Sequence, residues 1–309
     1  MNLQDNGSPA EAKENAVLLA VAFLWAQLFF ALIPVWRYGV YYEYGWLVPP
    51  VAVLLGLRRR SLGQFAPDPA KIAHSGSRLF PLLVGLAALV VLAPLRIIEL
   101  ANADWRPPLL FHAAIVVVCS HWLLWSVCGR RASLALIPLT VFALSAVPYP
   151  GRAETGLITT LTHWVMSVTA EIFHLSGFPV ELQGDKLSLN GQLVEVTDGC
   201  SGIRSLQSLL MAALFFGELL FLGLGGRLGL LAVSAACALV LNVGRAWWLA
   251  RTRFLHGPDA AQAVHDLAGH LAFLAGAVIL FAAGALIRRP RVRVVVRKTI
   301  RGEHGAGAS

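Results

Sequence analysis

Apolar residues along this chain fall in blocks about 20 residues long, separated by short polar or basic segments. A helix of roughly 20 residues covers the ~30 Å hydrocarbon core of a bilayer, so each block predicts a transmembrane helix. The pattern therefore predicts an all-α polytopic membrane protein with about eight transmembrane helices. Their approximate ranges are 16–36, 38–57, 79–96, 108–128, 133–149, 203–223, 228–249 and 267–287.

Composition agrees with a membrane protein. Hydrophobic residues make up 57% of the 309 residues and charged residues only 14%, where a soluble domain carries about a quarter. The net charge of +8 would suggest nucleic-acid binding in a soluble protein. Here the basic residues lie in short loops and in the tail from Arg288 to Arg301. That distribution indicates membrane orientation and contact with anionic lipids, and no nucleic-acid partner.

Basic clusters also predict which side of the membrane each loop occupies. The clusters are Arg58–Arg60, Arg130–Arg131, Arg227 and Arg288–Arg293. With eight spans and a cytoplasmic N-terminus, all of them are cytoplasmic, as the positive-inside rule requires. Five other arginines fall on the outer side, so the rule is a bias here: Arg96, Arg106, Arg152, Arg251 and Arg253.

This topology predicts a protein of the cytoplasmic (inner) membrane and divides its chain into five parts. The N-terminal residues lack the features of a cleaved signal peptide, so we expect the first apolar block to be a retained helix. The parts are a cytoplasmic segment (1–15), about five transmembrane helices (16–149), an outer-face segment (150–202), three further transmembrane helices (203–287) and a basic cytoplasmic tail (288–309).

The outer-face segment is predicted to form a helix followed by a small β-hairpin. Residues 155–175 are moderately apolar but carry His163, Glu171 and His174. We predict an interfacial helix there; a ninth span is the alternative, and it would move Cys200 to the other side. Residues 180–196 alternate apolar and polar positions around Gly184-Asp185 and Asn190-Gly191, and Asn-Gly between such runs is a strong hairpin signal.

Cys200 follows the predicted hairpin directly, between Gly199 and Gly202. Glycines there permit a tight turn and close approach of a substrate. The residue lies at or just before the N-terminus of the sixth span, where the helix dipole and free N–H groups stabilise a thiolate, and Arg204 adds positive charge. A small cysteine buried in a membrane helix is the alternative. The other cysteines (Cys119, Cys128 and Cys237) fit that alternative better, and no spacing predicts a disulfide, a metal site or a cofactor.

Two further groups of polar residues, unusual in such apolar helices, lie in or beside the last two predicted spans. Arg245 falls near the outer end of the seventh, and an arginine inside a span usually faces a cavity or a partner, although it can also snorkel to the interface. Asn242 is one turn away on the same face and can hydrogen-bond a neighbouring helix. His265, Asp266 and His270 lie where the chain re-enters the membrane. A histidine at an interface can equally well be structural.

The predicted topology brings Cys200, Arg245 and His265 to the same outer surface, each at the end of a different helix. A cysteine, a histidine and an arginine supply a nucleophile, a proton carrier and an oxyanion partner for acyl transfer. Asp266 is adjacent to His265, but neighbouring helical residues point apart, so it need not orient the imidazole.

These residues resemble the exosortase/archaeosortase family of membrane cysteine transpeptidases. Cys200-Ser201-Gly202 matches the family's cysteine motif. Asn242-x-x-Arg245 matches its Asn-x-x-Arg motif in the next helix, and His265-x-x-x-Gly269 its histidine motif opening the last one. The histidine motif selects His265 rather than His270. The stretch from Tyr44 to Pro50, leading to Arg58–Arg60, is similar to the family's N-terminal region. The outer-face segment before Cys200 is a sizeable elaboration on this pattern.

The resemblance implies an activity and partners. Such enzymes recognise a C-terminal sorting signal on exported proteins, which is a short motif (Pro-Glu-Pro in many bacteria), a transmembrane helix and a basic tail. They cleave near the motif at the outer face and pass the acyl group to a lipid or polysaccharide acceptor, often alongside exopolysaccharide production. By this resemblance Cys200, Arg245 and His265 are catalytic, and Ser201, Gly202, Arg204, Asn242 and Asp266 support them.

Three other readings remain open from the sequence. Arg245 and Asn242 can line the pathway of a transporter, although no inverted repeat is visible. A hydrolytic protease of the same chemistry would release its product to water. A non-catalytic factor for exopolysaccharide assembly would tolerate replacement of Cys200.

Overall fold

The chain folds almost entirely into helices. The computed structural model describes residues 9–74, 77, 79–102, 105–183, 186–189, 192–194 and 202–288. The helices are α1 (Pro9–Tyr38), α2 (Val48–Ser61), α3 (Pro69–His74), α4 (Leu79–Ala101), α5 (Arg106–Leu123), α6 (Arg130–Leu144), α7 (Gly151–Leu175), α8 (Ile203–Leu219), α9 (Leu224–His256) and α10 (Pro258–Ile287). A 3-10 turn (Glu43–Leu47) precedes α2, and a π-helical turn (Leu124–Cys128) ends α5.

Within the described residues, five helical stretches are long and apolar enough to cross a membrane. They are Ala10–Tyr38, Leu79–Ala101, Arg106–Cys128, Leu224–His256 and Pro258–Ile287. The chain is therefore a multi-pass membrane protein. The other three predicted spans correspond to α2, α6 and α8, which have 14, 15 and 17 residues and are shorter than the usual crossing length. The helix α7 has 25 residues but is not one of the five.

Two of the apolar clusters hold most of the helices together. In the first, α1 packs against α4 and α5 while α2 packs against α6, and the buried side chains include Leu24, Leu28, Val116 and Phe142. In the second, α8, α9 and α10 form a separate three-helix group around Leu209, Leu230 and Leu280. Gly276 and Gly284 of α10 permit this packing, because a Cβ atom at either position would lie 2.7 Å from a leucine side chain of α8 or from Leu220 just beyond it.

A buried ionic cluster ties the two groups together at one end of the bundle. Glu218 near the end of α8 forms ion pairs with Arg59 of α2 and with Arg227 of α9, the latter at 2.9 Å. Arg58 donates to the carbonyl of Leu219 at 2.8 Å. The side chain of Glu218 is 1% exposed, so its ion pairs with these arginines replace the water that would otherwise solvate the carboxylate. The sequence analysis assigned Arg58–Arg60 and Arg227 to one side of the membrane, and their side chains do lie at one end of the bundle.

Replacing Glu218 with glutamine is expected to destabilise the fold by about 3 kcal/mol, because two arginines would lose their buried counter-ion. The measurement is the free energy of unfolding of the purified protein in mixed micelles. The control is Glu43→Gln, because Glu43 is exposed and its loss should change little. Equal stability of the Glu218→Gln variant and the wild type would contradict the account of this cluster.

The segment before α8 contains the antiparallel hairpin predicted from the sequence, and a third short strand extends it into a sheet. They are β1 (Val180–Gln183), β2 (Lys186–Leu189) and β3 (Gln192–Val194), in the order β1-β2-β3. Leu182 pairs with Leu187, and Leu187 with Val194. Leu187 and Leu189 are fully buried in a cluster with side chains of α7, α9 and α10. The predicted turns at Gly184-Asp185 and Asn190-Gly191 lie outside the described residues.

The last two helices extend beyond their predicted spans at the ends that follow one another in the chain. The helix α9 continues to His256 and α10 starts at Pro258, where the prediction had an end near 249 and a start near 267. Gly257 joins them with a φ of 86°, a conformation that favours glycine. The two helices pack on each other, and Ala250 and Ala268 are buried in the cluster that they form with α7 and the sheet. His265 and Asp266 therefore lie two turns inside α10 and not in a loop.

Candidate active site

The arginine and histidine singled out by the sequence are in direct contact. Nη2 of Arg245, on α9, lies 2.9 Å from Nε2 of His265, on α10. Because a guanidinium can only donate, Nε2 is the acceptor of this hydrogen bond. Both side chains are half-buried. Gly269 is one turn beyond His265, and a Cβ atom there would lie 3.7 Å from Cζ of Arg245, so the guanidinium rests on the backbone of α10.

His265 has a second partner on its other ring nitrogen. Its Nδ1 lies 3.0 Å from Oδ1 of Asp266. Since Nε2 accepts from Arg245, Nδ1 carries the proton and donates to the carboxylate. The sequence analysis left this role open because adjacent helical residues point apart, and here the two side chains meet nonetheless. The Asp266 side chain is 86% exposed and His265 is 22% exposed, so water screens this pair and the contact fixes the tautomer more than it adds stability.

The start of α8 lies against α9 at its Asn-x-x-Arg segment. Gly202 caps α8 with a φ of 78°, in the left-handed region that other residues rarely adopt. A Cβ atom there would lie 2.6 Å from Nδ2 and 2.8 Å from Cγ of Asn242. Gly202 thus brings the backbone of the cysteine motif against a buried amide of α9. Cys200 and Ser201 themselves lie outside the described residues.

Arg204 makes a contact that the sequence did not indicate. The sequence suggested a positive charge beside the cysteine. In the structure, Nη2 of Arg204 donates to the carbonyl of Val40, between α1 and α2, at 2.9 Å, and the side chain is exposed. Arg204 therefore connects the start of α8 to the N-terminal group of helices.

The sequence analysis missed the contribution of α7 to this region. Leu161 and Val165 of α7 line a small cavity together with Gly202 and Asn242. They cover the junction of α8 and α9 from the side. No motif in α7 indicates this contact, since the side chains involved are ordinary apolar residues. The opposite face of α7 exposes His163, Glu171 and His174 to the surroundings.

Gly202, Asn242, Arg245 and His265 all lie at the end of the last three helices opposite Glu218. The helix α8 has 17 residues between these ends, a length of about 26 Å. In the part of the chain that the structure describes, no three His, Cys, Asp or Glu side chains are grouped so as to hold a metal ion.

The fold and this cluster define a multi-pass membrane protein with its polar groups gathered at one end of a three-helix group. The family model described as transmembrane exosortase matches residues 35–282, about four fifths of the chain. The chain therefore belongs to the transmembrane exosortase family. Comparison with curated proteins found no match, and comparison with solved structures found none.

Proposed function

We propose that this protein is a membrane cysteine transpeptidase that processes C-terminal sorting signals of exported proteins at the outer face of the cytoplasmic membrane. The observation that carries the proposal is the 2.9 Å contact between Arg245 and His265, at the end of the bundle where α8 follows the cysteine motif. Family membership supports the same activity. The enzyme acts on the polypeptide just before a transmembrane helix, which reaches the site from within the membrane.

The proposed reaction has two acyl-transfer steps. In the first, Nε2 of His265 takes the proton of the Cys200 thiol, the thiolate attacks the carbonyl carbon of the scissile peptide bond, and His265 passes that proton to the leaving amine as the C–N bond breaks. In the second, His265 removes a proton from the acceptor nucleophile, which attacks the thioester, and returns that proton to Cys200 as the C–S bond breaks. Arg245 donates hydrogen bonds to the oxyanion formed in each step.

The contacts of the histidine suit this role. With its Nδ1 proton held by Asp266, the imidazole has its basic nitrogen directed toward Arg245. The proton carrier and the oxyanion partner therefore face the same small volume. A substrate carbonyl that entered this volume would accept the hydrogen bond of the Arg245 guanidinium in place of Nε2 of His265. That nitrogen would then be free for proton transfer.

The proposed topology has eight crossings, with α2, α6 and α8 as short spans and α7 on the outer surface. The parts of the chain keep the bounds 1–15, 16–149, 150–202, 203–287 and 288–309. Under the positive-inside rule the Glu218 end, with its clustered arginines, faces the cytoplasm. The Arg245–His265 end then faces the periplasm or cell exterior. Helices α9 and α10 continue past it and pack there against α7 and the sheet of the outer-face segment.

Expression of the protein with a reporter that carries a Pro-Glu-Pro motif, an apolar helix and a basic tail tests this function. The reporter should lose its C-terminal helix in cells that contain the enzyme, and mass spectrometry of its new C-terminus separates two chemistries. A bound lipid or sugar acceptor indicates transpeptidation, whereas a free carboxylate indicates hydrolysis. Unchanged reporters with several motifs of this class, in the presence of folded enzyme, would contradict the proposal and favour a transporter or an assembly factor.

Replacing Gly202 with alanine should reduce reporter processing about tenfold or more, since the new methyl group would displace the backbone beside Cys200 from Asn242. Gly177→Ala is the matched control. Gly177 has a similar φ of 82°, but nothing lies within 4 Å of a Cβ atom there. Both variants should lose about 1 kcal/mol of stability from the strained backbone. Processing at the wild-type rate by the Gly202→Ala variant would show that the contact with Asn242 is not needed for the site.

A further inference from the structure

A cleft in the N-terminal group of helices lies far from the proposed active site. It has a volume of about 810 Å³ and is enclosed by α1, α2, α6 and the end of α5. Its walls are almost entirely apolar and include Ala22, Trp25, Ala52 and Leu139. The rim residues Leu19 and Val53 are 65% and 61% exposed, so the cleft opens sideways. Since α1 is long and apolar enough to cross the bilayer, this opening faces hydrocarbon.

The length of the cleft matches one leaflet. On α1 it extends from Asn15 to Phe29, which is about 21 Å of helix at 1.5 Å per residue. The hydrocarbon of one leaflet is about 15 Å deep. An apolar space of this length, open to the lipid, has room for one acyl chain lying along the helix. Water would find no hydrogen-bond partners along its apolar walls.

One end of the cleft carries a cation. Arg60 lies there with its side chain 47% exposed, 2.8 Å from Oδ1 of Asn15 and 3.4 Å from Glu14. The nearby ends of α1, α3 and α6 make the surface around it cationic overall, with Lys13, Lys71, Arg130 and Arg131 against Glu11, Glu14 and Asp68. The short helix α3 is held in this surface by the hydrogen bond from Lys13 to the carbonyl of Ile72, at 3.0 Å. Basic pockets between transmembrane helices bind anionic lipid headgroups.

We propose that this cleft is a binding site for one anionic phospholipid. An acyl chain occupies the space between α1, α2 and α6, and the phosphate lies beside Arg60. The side of the bundle agrees with this ligand, because Arg60 lies at the same end as Arg59 and Glu218, where the proposed topology has the cytoplasmic leaflet. The site is separate from Arg245 and His265, so the proposal does not depend on the reaction of the enzyme.

Native mass spectrometry of the delipidated full-length protein tests the proposal, with phosphatidylglycerol and phosphatidylcholine as probes. The wild type should bind one phosphatidylglycerol molecule saturably and prefer it over phosphatidylcholine. Ala22→Phe, which adds a ring inside the cleft from an exposed position, should abolish saturable binding. Arg60→Gln should weaken it about fivefold, as expected for the loss of one cation near a phosphate.

Two matched substitutions serve as controls. Ala87→Phe places the same ring on an exposed alanine of α4, and Arg152→Gln removes an exposed cation of α7, outside the surface around Arg60; both should retain the tight lipid. Equal binding of the two lipids by the wild type would overturn the proposal. Unchanged lipid binding by Ala22→Phe would also overturn the proposal. If reporter processing fell in that variant as well, the cleft would be interpreted as a binding site for a protein helix instead.

Discussion

Replacing Cys200 with alanine is expected to lower reporter processing by at least about a thousandfold, without reducing the amount of folded protein in the membrane. Loss of the thiol removes the covalent intermediate altogether. The measurement is the initial rate of reporter cleavage at matched enzyme levels.

The matched control for this variant is Cys237→Ala. Cys237 is a partly buried residue of α9 that packs in the cluster around Leu230 and Leu280, so it shares residue type and a membrane position but lies away from Arg245. The Cys237→Ala variant should process the reporter at close to the wild-type rate. A Cys200→Ala variant with wild-type activity would remove the nucleophile from the account and with it the thioester.

The second large effect is expected for Arg245. Arg245→Gln should lower the rate about a hundredfold to a thousandfold, which is the usual consequence of removing one oxyanion donor. The loss should appear mainly in kcat, because the oxyanion exists only in the transition state and intermediate. Arg245→Lys should recover part of the rate, since a lysine keeps the charge but cannot hold two hydrogen bonds in the same plane.

Arg251→Gln is the control for a charge at the same end of α9. Arg251 lies over the ring of Trp247 at 5.7 Å and is exposed, so its loss should have little effect on kcat. Comparison of the single variants at Arg245 and His265 with the double variant tests whether they act together. Their effects should be far from additive, because each addresses the same carbonyl. Full additivity would indicate that the 2.9 Å contact has no part in the reaction.

The sequence predicted that Arg245 and His265 lie at the same surface, and in the structure their side chains are in contact. Hydropathy located the helices, and the basic clusters oriented them, which brought both residues to one surface before any distance was known. The motif spacing then selected His265 over His270, and in the structure it is His265 that contacts Arg245. This part succeeded because it depends on helix direction alone, which apolar length and charge determine.

Other features depend on side chains that meet across long sequence separations. The ion pair between Arg59 and Glu218 joins residues 159 positions apart, and neither neighbourhood signals the other. The extension of α9 to His256 and of α10 back to Pro258 was missed because these residues are less apolar than the rest of each helix, and hydropathy registers only the apolar part. The contact between His265 and Asp266 was left open because Cβ directions do not determine where flexible side chains meet.

The central claim is that a reactive thiol at position 200 lies on the outer face of the membrane. Labelling of intact cells with a membrane-impermeant thiol reagent tests this directly, in a chain whose Cys119, Cys128 and Cys237 are replaced by alanine or serine. Ser61→Cys, placed in the same background without Cys200, reports the cytoplasmic side, because Ser61 is exposed at the end of α2. We expect rapid labelling of Cys200 in intact cells, whereas the cysteine at position 61 should be labelled only after permeabilisation. Labelling of Cys200 only after permeabilisation would contradict the topology and the proposed enzyme together.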